Sequence, residues 1–177
     1  MERETADQLE ALHPDAFGWA LHCCGGDHSR AEDVLQNAYL KAASDRVVHS
    51  GASSFKTWWF GVIRLTAHEE FRRLRYRESL LGKLLAQFTG DAHDPRPSAA
   101  QKIDLDEQTL RMREALAQLP ARQAEVMHLV FYQDLSISEA ATLMKISLGS
   151  ARQHYERGKA RLRTLLQTSS PVFAHES

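Results

Sequence analysis

Apolar and polar positions alternate at helical intervals along most of this chain. Leu9, Leu12, Ala16, Trp19, Ala20 and Cys23 approximate one helical face, and Gly25 with Gly26 offers the chain an exit from it. Ser29 is expected to begin a second helix, with Ala31, Val34, Leu35, Ala38, Tyr39 and Ala42 inward and Glu32, Asp33, Gln36, Asn37 and Lys41 outward. Residues 47–54 read as a loop, in which Gly51 is flanked by small polar residues, leading into the long helix FKTWWFGVIRLTAHEEFRRLRYR. Trp58 and Trp59 are adjacent there and diverge by about 100°, so one ring is expected at a surface or a seam. The stretch FTGDAHDPRPSAAQ has Gly90, Pro95 and Pro97 and no apolar period, which marks a linker. Beyond it, a helix is expected from Ile103 to Leu119, stopped by Pro120, and another from Ala121 to Asp134, with Val126, Leu129, Val130 and Leu135 in a second core.

The clearest pattern is SISEAATLMKISLGSARQHYERGKARLR, which reads as two helices and a tight turn. Ser136 and Glu139 have the spacing of a capping box, and Ala140, Leu143 and Met144 give the short helix an apolar face. Ser147 can cap the second helix, whose Ala151, Tyr155, Gly158, Leu162 and Leu165 repeat at steps of four and three. Its other face is Ser150, Arg152, Gln153, Glu156 and Arg157. From Lys145 to Arg163 there are six Lys or Arg against one acid, a local net charge of +5 with His154 neutral. Such a face attracts phosphate, and Arg or Gln near a helix start can reach base edges in a major groove. A solvated charged face is the plainer alternative, but it needs neither the turn nor the first helix.

Composition narrows the class. The chain has 177 residues, 43% hydrophobic and 25% charged, enough for one ordinary core or two small ones. The pattern favours an all-α chain of two small helical domains joined by a flexible linker, the second containing the helix-turn-helix. Their expected bounds are 1–87, a linker at 88–102, 103–168 and a tail at 169–177. No apolar run has the length of a membrane span, and the acidic start lacks the features of a signal peptide, so a cytoplasmic protein without membrane insertion is expected.

The net charge of −1 conceals segregation. Residues 1–33 hold eight acids and two bases, whereas residues 64–77 hold five Arg and two Glu. An aromatic and arginine-rich helix after a small polar loop suits a single-stranded nucleic acid, whose bases need stacking surfaces and whose backbone needs charge. Asp33 and Gln36 share an exposed edge one turn apart. Cys23 and Cys24 are adjacent, poor partners for a disulfide; with His22 they define a metal or redox alternative to ordinary helical thiols. The sequence offers no phosphate-binding glycine loop, no nucleophile with its base and no repeated ligand spacing among nine histidines. Neither catalytic residues, metal ligands nor a cofactor are expected.

Three stretches, AEDVLQNAYL, SSFKTWWFGVIRLTAHEEFRR and LPARQAEVMHLVFYQDLSISEAATLMKISLGSARQHYERGKARL, resemble the extracytoplasmic-function sigma factors of bacterial RNA polymerase in order and spacing. The resemblance implies a sigma factor that binds core RNA polymerase and directs promoter recognition, DNA opening and initiation. It implies polymerase contact through Glu32, Asp33, Gln36 and Asn37. The opened −10 element would meet Ser53, Ser54, Lys56, Trp58, Arg64, Glu69, Arg72 and Arg73. The duplex −35 element would meet Ser150, Arg152, Gln153, Glu156 and Arg157, and an anti-sigma factor is implied as a further partner. Where the family usually has Asn and, four residues on, Asp, this chain has Leu65 and Glu69, which bears on how the −10 base is held. Lys145 stands where a turn glycine is usual and Gly158 where an alanine is usual. A helix-turn-helix activator or repressor independent of polymerase is the competing reading; it leaves Asp33, Gln36 and the aromatic-arginine helix without a task.

Overall fold

The computed structural model describes residues 3–44, 46–86 and 107–168, which form eight α-helices and no strand. The chain divides into two compact units, Met1–Gln101 and Lys102–Ser177. The expected linker at 88–102, the first residues of the helix expected from Ile103 and the tail at 169–177 lie outside the described residues.

The first unit contains α1 (Arg3–Ala11), α2 (His13–Cys23), α3 (His28–Ala43) and α4 (Phe55–Ala86). The single helix expected around Leu9 to Cys23 is therefore two. Pro14, in the first turn of α2, explains the break: it has no N–H to donate and its ring obstructs the carbonyl four residues back, so a helix can start at it but not run through it. The α2 exit does use glycine, with Gly25 at φ +65°. Cys24, not Cys23, is the buried thiol, while Cys23 is half-buried. The next helix begins at His28 and is capped by Asp27, whose Oδ1 accepts the Arg30 N–H at 3.1 Å, so Asp27 takes the role expected of Ser29. Ala31, Val34, Leu35, Ala38 and Ala42 are buried as their spacing predicts, and α2, α3 and α4 pack against one another. Trp19, Trp59, Phe60 and Ile63 are fully enclosed at their junction, and Trp19 Nε1 donates to the Phe60 carbonyl at 3.0 Å.

The second unit contains α5 (Glu107–Ala117), α6 (Ala121–Phe131), α7 (Ile137–Met144) and α8 (Leu148–Thr168). Pro120, with φ −55° and ψ 141°, separates α5 from α6. The latter ends at Phe131 instead of Asp134, because Asp134 turns left-handed at φ 53° and sends the Leu135 N–H back to the Leu129 carbonyl at 3.0 Å. That turn buries Leu135 beside Val126, Met127 and Leu129, whereas Val130 is only half-buried. The two helices α6 and α7 both pack on α8. Gly158 makes the close approach possible: a Cβ there would lie 3.0 Å from Met127 Cγ and 3.3 Å from Gln123 Cβ.

Candidate nucleic-acid and partner interfaces

On α3, Glu32, Asp33 and Gln36 are exposed and Asn37 is half-buried, so the buried stripe leaves an acidic and amide edge facing outward. An apolar groove of about 480 Å³ runs beside that edge between α2 and α3. Glu32 and Gln36 stand among its walls with Phe17, Leu35, Tyr39 and Leu40. Leu40 is 59% exposed, an apolar side chain out of phase with the buried stripe that the sequence reading did not single out. His13 Nδ1 and the Tyr39 hydroxyl meet at 3.0 Å across the groove, and burial raises the Tyr39 pKa. Acids around an apolar trough suit an amphipathic partner helix with basic flanks.

The loop before α4 is held in shape by His49. Its Nε2 donates to the Ser53 carbonyl at 2.8 Å, and its ring lies against Phe55 and Trp58, each 5.5 Å away between centroids. Ser54 caps α4, accepting the Thr57 N–H at 3.3 Å, and remains exposed, whereas Ser53 is half-buried. Trp59 is the core ring of the tryptophan pair, 0% exposed, and Trp58 is the half-buried ring packed on the loop. His49 was missed because a histidine in a polar loop carries no periodic signal.

Of the residues expected to face an opened strand, Arg64 is buried and Lys56, Glu69 and Arg73 are ion-paired within the unit, Arg73 with Glu70 at 3.1 Å. Arg64 is only 5% exposed, since its position on α4 falls inside the stripe of Phe60, Ile63 and Ala67. Lys56 Nζ pairs with Asp15 on α2 at 2.8 Å, and Glu69 pairs at 2.6 Å with Lys41, which also donates to Thr66 Oγ1 at 3.0 Å. Lys41, read as an outward residue, thus ties α3 to α4. The basic character of α4 is exposed further along, where Arg72, Arg73, Arg75 and Arg77 reach solvent and Tyr76 is 67% exposed. Leu65 is also exposed.

In the second unit the capping box is complete. Glu139 N–H donates to Ser136 Oγ at 3.2 Å, and Ser136 N–H to Glu139 Oε2 at 3.0 Å. At the turn Lys145 adopts φ 55° and ψ 47°, and Ser147 Oγ accepts the Ser150 N–H at 3.1 Å to start α8. Ser150 is half-buried, and its hydroxyl lies 2.8 Å from Ser147 Oγ, which draws it into the cap. Ala151 and Gly158 are buried, so Arg152, Gln153, Glu156 and Arg157 are left exposed along the opposite side, followed by Lys159, Arg161 and Arg163. The result is a rigidly started helix with a cationic outer face and an Arg-Gln pair in its first two turns.

Residues 9–77 match the family Sigma-70 region 2, and residues 115–164 match Sigma-70, region 4. The chain belongs to the ECF sigma factors of RNA polymerase. Among its relatives, this sigma factor is 30% identical to ECF sigma factor SigX of Bacillus subtilis over 92% of its own chain and 84% of that protein. It is 29% identical to SigL of Mycobacterium tuberculosis over 80% of its chain and 77% of that protein. Its fold is shared with the sigma factor RpoE of Bartonella quintana, solved in complex with the anti-sigma factor NepR, at TM-score 0.67 and 22% identity, covering 96% of this chain and all of that one. CnrH, solved in complex with the cytosolic domain of CnrY, matches at TM-score 0.61 and 21% identity over 93% of this chain and 88% of that one. The sigma factor binds core RNA polymerase and promoter DNA. None of its described helices is long and apolar enough to cross a membrane.

Proposed function

We propose that the two units divide the work of initiation: 1–87 docks on core polymerase and holds the opened −10 element, 103–168 reads the −35 element as duplex, and 88–102 links them. The observation that carries this reading is the pairing of two different surfaces with two matched family regions in order, an acid-edged apolar groove in the first and a capped cationic helix in the second. Glu32, Asp33, Gln36 and Asn37 form the polymerase edge. Ser53, Ser54, Trp58, Arg72 and Arg73 remain the strand-facing set. Trp58 supplies the ring edge of a preformed loop, and exposed arginines supply charge for a backbone. Arg152 and Gln153 read bases, Arg157 stands a turn further along, and Ser150 acts through the helix start.

Capture of unstacked bases supplies the free energy of strand opening, so the chain works without catalysis or nucleotide hydrolysis. A cytoplasmic protein acting on polymerase fits this role. An anti-sigma factor is a further partner, in keeping with the complexes in which RpoE and CnrH were solved. The reading of the chain as a regulator independent of polymerase is not favoured, since it gives the α3 edge no partner.

Titration of labelled core polymerase tests the docking surface. Asp33→Ala with Gln36→Ala should weaken binding at least tenfold with unchanged helical content, a loss of about 1.4 kcal/mol or more. Unchanged affinity would remove this edge from the interface.

A further inference from the structure

Two helices of this protein end in the same hydrogen-bonded device but fill its decisive position differently. At the end of α2 the Gly25 N–H reaches the His22 carbonyl at 3.1 Å and the Gly26 N–H reaches Leu21 at 2.9 Å. At the end of α7 the Lys145 N–H reaches Thr142 at 3.2 Å and the Ile146 N–H reaches Ala141 at 3.0 Å. Both are Schellman closures, and both put one residue in the left-handed region, Gly25 at φ +65° and Lys145 at φ 55°. Glycine adopts that conformation freely; a Cβ at the same place crowds the following carbonyl. Among the described residues the other non-glycine at positive φ is Asp134, and Asp is one of the residue types that tolerate this region through their short polar side chains. Lysine has no such relief.

Among the described residues nothing offsets this strain on the lysine. Its side chain is exposed, and no carboxylate of the described residues forms an ion pair with it. Strain maintained at an exposed position, where glycine would close the helix equally well, points to the side chain as the reason. Lys145 stands two residues before Ser147, the cap of α8, at the end of that helix that carries Arg152 and Gln153. The free N–H groups of a helix start also favour an anion there.

We infer that Lys145 contacts a backbone phosphate of the upstream promoter duplex, flanking the entry of α8 into the groove. The inference rests on the groove reading of α8 and adds to it a sequence-independent anchor in the turn. Its ligand is a phosphodiester of double-stranded DNA, so it strengthens binding to every sequence alike.

Holoenzyme assembled with Lys145→Gly, Lys145→Gln and Lys145→Arg tests it, with promoter affinity measured over a range of salt concentrations and the denaturation midpoint of each free variant measured alongside. Lys145→Gly should raise the midpoint, because the strain is relieved, yet lower affinity and make the log–log salt slope shallower by about one unit. Lys145→Gln keeps the strain and should show the same shallower slope, which separates charge from backbone; Lys145→Arg should retain the parental slope. Unchanged slopes for both Gly and Gln overturn the inference. If Arg152→Ala holoenzyme still shows altered base preference in that case, the anchor alone is wrong; if it does not, the groove reading falls with it.

Discussion

Cys24 shows how position alone sets the chemistry of a side chain. It is buried at the end of α2, and burial, reinforced by the nearby Asp27 carboxylate, pushes its thiol from the ordinary 9.0 up to about 11. The folded chain thus holds this proton more tightly than the unfolded chain does. The resulting contribution to stability is complete below pH 9 and is lost as pH rises through about 11. At pH 8 a thiol reagent should label Cys24 in a Cys23→Ser protein only after denaturant unfolds it; rapid labelling of the folded protein would contradict the assignment. Gly158 is a second case. From sequence it reads as a helix defect costing about 1 kcal/mol, whereas the structure shows that its missing Cβ admits Met127 and Gln123 of α6. Gly158→Ala should be within about 1 kcal/mol of neutral, because better helix propensity offsets crowding against a flexible methionine. Gly158→Leu should cost about 2 to 3 kcal/mol in denaturant unfolding. Equal stability of the parent and the Leu variant would show that α6 and α8 are not held this closely.

At the level of elements, helix starts decide most of the geometry. The eight residues of α7 are too few to be stable alone, so the Ser136 and Glu139 pair and the packing on α8 must supply what propensity does not. Ser136→Ala removes the hydroxyl that accepts the Glu139 N–H and should destabilise the second unit by about 1 kcal/mol, read as a lowered unfolding midpoint. No change would mean that water or Glu139 alone satisfies the helix start. This cap, the Ser147 cap and the buried phase of α8 were legible in the sequence because each depends on local spacing. The split between α1 and α2 was also legible in principle, through Pro14, but the apolar period running across it concealed the break. The fate of Arg64, Lys56 and Glu69 was not legible. Lys56 and Glu69 pair with residues of other helices and Arg64 is buried, and a charge on a helix reads as outward until the packing of neighbouring elements is known. Lys41 illustrates this, an apparently solvated lysine that joins α3 to α4 through Glu69 and Thr66.

For the whole molecule, we propose separate tasks for the two units. Their charge distribution fits that separation, with acids concentrated in residues 1–33, exposed Arg72, Arg73, Arg75 and Arg77 on α4, and a cationic face on α8. The fold class and the order of the two family regions could be read from sequence because each motif carries its own period and its own chemistry. The apolar groove could not, since it arises only where α2 and α3 meet. If the tasks are separate, damage to one surface should leave the other's preference intact. Run-off transcription with purified core polymerase on a promoter library randomised in both elements measures this most directly. The parent protein should select one upstream and one downstream preference. Arg152→Ala should flatten the upstream preference alone, each lost bidentate base contact reducing discrimination by about 1 to 3 kcal/mol. Arg72→Ala with Arg73→Ala should slow strand opening while leaving the upstream preference unchanged. Loss of both preferences together in either variant, or an unaltered upstream preference in Arg152→Ala, would contradict the division of labour.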